Sequence, residues 1–151
     1  LKAATKTAIS DGKRLLGFFG TQYDGHLPYQ TADGNYDPAS DLKGQETYSK
    51  ADRLENPNLA QMTEAALDCL SANGDKFWLM IEAGDVDWAN HANNLDNSIG
   101  AVFSGEAAFK AVMDWADEHQ AWDHTAVIVT SDHGHFFVNR QPETIASASS
   151  K

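Results

Sequence analysis

Apolar residues in this chain occur in two kinds of run. Three are short and unbroken: KRLLGFF at 13–19, FWLMIE at 77–82 and AVIVTS at 126–131. Glycine, asparagine or aspartate bounds the first two, and runs of that length predict buried strands. The other kind recurs every three or four positions. In NPNLAQMTEAALDCLSANG, residues 56–74, the residues Leu59, Met62, Ala66, Cys69 and Leu70 line one face of a predicted helix. Asn56 or Asn58 caps its start, Pro57 suits its first turn and Gly74 closes its end. A second helix is predicted from about Asn97 to His119, with Ile99, Val102, Phe103, Phe109, Val112, Met113 and Ala116 on its apolar side. Gly100 and Gly105 weaken it locally, each by about 1 kcal/mol relative to alanine.

The resulting order is strand, loop, helix, strand, helix, strand. The runs at 77–82 and 126–131 are apolar on both faces, as strands of a parallel sheet covered by helices are. The expectation is therefore an α/β domain over residues 1–138, with a mostly parallel sheet flanked by helices. Residues 20–56 show no sustained period and are long for a loop, so they are expected to pack over the domain or against a neighbour. The polar residues 139–151 are expected to form a mobile tail. No internal repeat is present.

In an open parallel sheet, functional groups collect beyond the carboxyl ends of the strands. Two clusters fall there. IEAGDVDWANH, residues 81–91, places Glu82, Asp85, Asp87 and His91 after one predicted strand. Asp132-His133-Gly134-His135 follows the next, and a right-handed crossover brings the two exits to one rim. If the chain turns helical after Val86, Asp87 and His91 stand at i and i+4 and face the same way. A carboxylate and an imidazole so placed suit a cation such as zinc. Glu82 suits a harder, oxygen-seeking ion, and His135 suits a donor behind a ligating carboxylate. Asp85 reads as a solvated loop acid. Either motif alone is more often an ordinary helix face or turn; their joint position at two strand exits favours a metal site.

Composition narrows the classes. The 151 residues, 42% of them hydrophobic, suffice for one core. The formal net charge of −11 argues against a nucleic-acid backbone as partner and is compatible with bound divalent cations. No window is long and apolar enough to span a membrane, and the first residues lack the apolar stretch of a signal peptide. The single cysteine, Cys69, allows no internal disulfide.

The pattern Glu82-x4-Asp87-x3-His91, a helix, then a strand ending Thr130-Ser131-Asp132-His133, resembles the alkaline phosphatase family. RLLGFFGTQYDGHLPYQ is similar to that family's earlier strand and loop, and LAQMTEAALDCL to the helix before its metal-binding strand. The resemblance covers a middle-to-C-terminal portion of the family's catalytic domain, up to about residue 138. It implies a phosphomonoesterase with two zinc ions, one magnesium ion and a phosphoserine intermediate. Asp87 and His91 match ligands of the first zinc, Asp132 and His133 ligands of the second, and Glu82 a magnesium ligand. His135 matches a second-shell histidine near the first zinc. Trp88 occupies a substrate-side position where other members carry a lysine or histidine. Two cations ~4 Å apart clamp both oxygens of an in-line displacement. The resemblance further implies small phosphomonoester substrates, a homodimer and a periplasmic or secreted location.

The family's Asp-Ser-Ala nucleophile motif has no counterpart here; Ser10-Asp11 reads as a loop before the first strand. The family's bridging aspartate and phosphate-binding arginine are also missing, and a third ligand to the first zinc would fall beyond Lys151. His26, His119 and His124 match no ligand position. The chain thus carries metal ligands without the nucleophile, and on its own it is expected to turn over monoesters poorly. A related phosphodiesterase, sulfatase or phosphoglycerate mutase is the alternative enzyme reading. A non-catalytic metal-binding module is the alternative outside enzymes.

Overall fold

The computed structural model describes residues 1–20, 27, 28, 30–36, 48–72, 74, 76–136, 138 and 143. The expected tail, His26 and much of the aperiodic stretch at 20–56 lie outside them. Five α-helices are described: α1 (Lys2–Ser10), α2 (Lys50–Glu55), α3 (Leu59–Ser71), α4 (Asp85–His91) and α5 (Leu95–Glu118), followed by a single 3-10 turn at Trp122–His124. Helix α5 is the spine, with α3 and α4 packed on it and α1 on α3.

Local chemistry explains the helix starts. Asn58 caps α3: its side chain accepts from the Gln61 N–H at 2.8 Å, while the Gln61 side chain accepts from the Asn58 N–H at 3.1 Å. This reciprocal pair satisfies two donors that a helix otherwise leaves bare. Ser49 and Asp52 do the same for α2. Helix α3 ends at Ser71, and Gly74 turns the chain away with φ of 70°, a conformation that suits glycine. The α3 stripe follows the expected period but is rotated. Thr63, Ala65 and Leu67 are buried, whereas Leu70 is exposed.

Helix α5 begins two residues before the expected Asn97, because Asn94 caps it through the Asn97 N–H. Its buried face is also narrower than expected. Asn97, Gly100, Ala101, Ala108 and Ala116 are buried, while Val102, Phe103 and Phe109 stay exposed. Small residues let neighbouring backbone come close. At Gly100, a Cβ would lie 1.9 Å from the Gln30 carbonyl oxygen, so only glycine fits under the 30–31 backbone.

The expected α/β sandwich with a parallel sheet is not formed. Among the described residues every regular element is helical and no strand ladder exists. The three apolar runs are non-helical and share no backbone hydrogen bonds with one another. Burial alternates over 78–82, while residues 126–131 are exposed throughout. Leu15, Phe19, Leu79 and Ile81 are half-buried, but Leu16 is 94% exposed, Phe18 95%, Trp78 81% and Ile128 84%. The reason is physical. An apolar run states only that a segment gains from burial, whereas a strand needs a neighbouring backbone about 4.8 Å away to take its N–H and C=O groups. Among the described residues these three segments do not supply that neighbour to each other.

Candidate metal centre

Glycine 84 leads into α4, whose first turn holds Asp85 and Asp87. Carboxylates there complement the positive end of the helix dipole. Asp85, expected as a solvated loop acid, is instead the first helical residue and half-buried. Asp87 and His91 share a face, and His91 Nε2 lies 3.3 Å from Asp87 Oδ2.

The second cluster arrives from the far side of α5. His133 Nε2 and His135 Nε2 each lie 3.6 Å from Asp87 Oδ1. One carboxylate therefore divides its oxygens, Oδ2 toward His91 and Oδ1 toward the two later histidines. Ligand atoms of Asp87, His91 and His135 all fall within 4.8 Å of one another. The His135 side chain is only 18% exposed. The segment that carries these histidines is tied back by Asn93, whose side chain exchanges hydrogen bonds with the backbone of Val138.

The other expected residues stand apart from this group. The Asp132 side chain is 90% exposed and its Oδ2 is 3.8 Å from His133 Nε2. Glu82 is exposed and borders a cavity of about 300 Å³ that Asp85, Trp88, Leu27, Pro28 and Met62 help to line. Trp88 joins that cavity to the histidines, its ring centroid 6.3 Å from that of His91. His119 and His124 are exposed at the end of α5 and in the 3-10 turn, distant in sequence from any cluster.

Asp87 Oδ1 is buried without a hydrogen-bond partner, and among the described residues only histidines approach the carboxylate. His133 holds its proton above the ordinary histidine range, chiefly because the Gly134 carbonyl accepts from Nδ1, with Asp132 and Asp87 adding to it. A cation fits such a donor set. Zinc bonds of ~2.0–2.1 Å in a tetrahedron put neighbouring ligand atoms about 3.4 Å apart, and the 3.3 Å between His91 Nε2 and Asp87 Oδ2 matches that edge.

The family model for alkaline phosphatase matches residues 3–148. The chain belongs to the alkaline phosphatase family. It is 32% identical over 146 residues to an alkaline phosphatase of Escherichia coli, covering 93% of this chain and 29% of that protein. Alkaline phosphatase 3 of Bacillus subtilis is 36% identical over 85 residues, 56% of this chain and 18% of the relative. A streptomycin-6-phosphate phosphatase of Streptomyces griseus is 29% identical over 136 residues, 85% of this chain and 29% of the relative. The chain spans less than a third of the length of these alkaline phosphatase relatives. No solved structure matches it. Among the described residues no helix is long and apolar enough to cross a membrane.

Sequence reasoning named Asp87, His91, His133 and His135, which the structure brings together, because each is a recognised ligand type at a recognisable spacing. It passed over Asn93. An asparagine just past a helix end carries only the signal of a left-handed cap, and its φ is 55°.

Proposed function

We propose that these residues form the cation-binding part of a phosphomonoesterase active centre, and that the intact protein hydrolyses small phosphate monoesters. Asp87 carries the reading: a buried, unpartnered carboxylate oxygen facing two imidazoles, on a chain of the alkaline phosphatase family. Asp87 Oδ2 and His91 Nε2 would hold the first zinc, with His135 close behind Oδ1 as a neighbour of the ligating carboxylate. Asp132 and His133 would hold the second zinc. Glu82, at the mouth of the neighbouring cavity, serves magnesium. When bound, such cations polarise phosphoryl oxygens and stabilise the attacking and leaving oxygens.

This chain's own residues position and charge-balance the site. Trp88 brings no positive charge, so it shapes the substrate side by contact rather than by pairing with phosphate. The serine nucleophile comes from outside these 151 residues. A small-molecule substrate is supported by the Streptomyces relative, whose name specifies a phosphate monoester of streptomycin. A periplasmic or secreted location and a homodimer complete the family reading.

The test compares metal content and phosphatase activity of the intact protein with its Asp87→Ala variant. Zinc should be lost together with monoesterase activity, and phosphate monoesters should be preferred over diesters and sulfate esters. Undiminished zinc in Asp87→Ala would overturn the reading.

A further inference from the structure

Helix α4 ends in a turn whose geometry exceeds what capping requires. Asn93 takes a left-handed φ of 55°, and its N–H bonds to the Asn90 carbonyl at 2.9 Å. Asparagine tolerates that conformation better than most residues. Its side chain then reaches a backbone group 45 residues away. Asn93 Nδ2 donates to the Val138 carbonyl at 2.7 Å, and the Val138 N–H donates to Asn93 Oδ1 at 2.7 Å. The carboxamide thus pairs with both polar groups of one residue, as a facing peptide unit would.

The clamp joins the two halves of the candidate site. His91 lies two residues before Asn93, and His133 and His135 lie shortly before Val138. The hydrogen bonds that His133 and His135 make to carbonyls are local, to Gly134 and Phe136. Their approach to Asp87 is at 3.6 Å, longer than a hydrogen bond. The Asn93 pair is a hydrogen-bonded link between Val138, just beyond the later histidines, and the end of α4.

From this geometry we infer that Asn93 is a positioning residue for the cation site, locking the 133–138 segment to the end of α4 so that His133 and His135 face Asp87 before a cation binds. A site assembled in advance spends less binding energy on ordering its donors. The inference rests on the cation reading above.

Cobalt(II) is a suitable probe, because its d–d absorption reports ligand geometry independently of turnover. Wild type, Asn93→Gly and Asn93→Asp are compared in the full chain, by cobalt titration and by metal-free hydrogen exchange at the Val138 amide. Glycine keeps the positive φ and removes only the clamp. Asn93→Asp loses the donor to the Val138 carbonyl but keeps an acceptor for the Val138 N–H. Asn93→Gly should retain wild-type helix content, lose Val138 protection and bind cobalt about tenfold or more weakly with an altered spectrum. Asn93→Asp should recover part of the protection and affinity. Wild-type affinity and spectrum in Asn93→Gly, or a Val138 amide unprotected in both proteins, would overturn the clamp while leaving the cation reading intact. Wild type that binds no cobalt defeats the cation reading itself, and the clamp with it.

Discussion

The rings of His91 and His135 meet edge to face, with centroids 4.6 Å apart and planes at 90°. They come from opposite ends of the long helix that separates the clusters, and they address different oxygens of Asp87. That division assigns them unequal roles. On the proposed cation reading, removing His91 deletes a donor to the cation, whereas removing His135 takes away a neighbour that bears on the carboxylate's orientation. His91→Ala should abolish zinc retention on dialysis. His135→Ala should weaken affinity by about 10–100-fold, the usual cost of losing a group that orients a ligand. Competitive zinc titration of both variants checks this. Equal affinities for the two would remove the distinction.

The exposed apolar edges predict a second behaviour. Leu16, Phe18, Trp78, Met80, Ile128 and Val129 are all strongly exposed, and exposed apolar surface binds hydrophobic dyes and promotes association. The 151-residue chain should enhance the fluorescence of an anilinonaphthalene dye. A Phe18→Lys, Ile128→Lys double variant should reduce that signal and self-association without loss of helical circular dichroism. A large loss of helicity would show that these side chains are packed rather than bare.

The same edges mark how far sequence could lead. Helix α3 was legible because Asn58, its capping partner Gln61 and a three-to-four-residue period all act within one segment. Asp87 and His91 were legible for the same reason, since four residues of one helix decide their relation. Sheet formation depends on a neighbour, and the run FWLMIE looks alike whether or not a second backbone lies alongside it. Helix α1 was missed because its buried positions, Thr5 and Ala8, are too small and polar to register as an apolar stripe. Asn93 and Val138 were missed because a contact over 45 residues leaves no local trace. Asp132 and Glu82 were named for their place at two predicted strand exits and in the family pattern, and both side chains lie exposed.

The 31–35 turn carries a built-in acid sensitivity. The Asp33 carboxylate accepts from the Thr31 hydroxyl at 2.6 Å, from the Asn35 side chain at 3.0 Å and from the Asn35 N–H at 3.0 Å. These bonds, that from Thr31 first, hold its pKa down to about 2 from 3.8. A depressed carboxylate stabilises the fold above its unfolded value, and that contribution disappears as pH falls from about 4 through about 2. Because Asp33 is exposed, the effect should stay local to the turn. A carbon-detected titration should find its midpoint near 2, and Thr31→Val should raise it toward the ordinary value. A wild-type midpoint near 3.8 would contradict the turn geometry.

Burial raises the pKa of the Cys69 thiol, and Asp68 beside it adds to the shift. The thiolate is the reactive species, so alkylation by iodoacetamide at pH 8 should be slow and should accelerate on denaturation. Asp68→Asn should quicken the native reaction modestly by removing the neighbouring charge. Native reactivity equal to that of the unfolded chain would show the sulfur to be open.

Gly100 sets the last expectation, and it links the fold to the site. A Cβ there would sit 1.9 Å from the Gln30 oxygen, 2.4 Å from the Gln30 carbonyl carbon and 2.8 Å from that of Thr31. These are backbone atoms, which cannot swing aside as a side chain would. Alanine gains about 1 kcal/mol in helix propensity, but overpacking costs about 1–3 kcal/mol and more where backbone must move. The clash should therefore win, and Gly100→Ala should melt at a lower temperature. The strain falls on a polar seam: Asn97 Nδ2 donates to the Gln30 oxygen at 3.3 Å, and Asp96 accepts from the Ala32 N–H at 2.9 Å. At the same end of α5, Ser98 donates to the Asn90 side chain at 2.8 Å, and the Asn94 N–H bonds to the Ala89 carbonyl at 2.9 Å. Movement at the start of α5 is thus passed to α4 and to Asp87 and His91. Gly100→Ala should lower zinc affinity as well as stability, although residue 100 touches no ligand. A variant with a raised melting temperature would refute the close approach, and one destabilised without any change in zinc affinity would show that the seam does not couple α5 to the site.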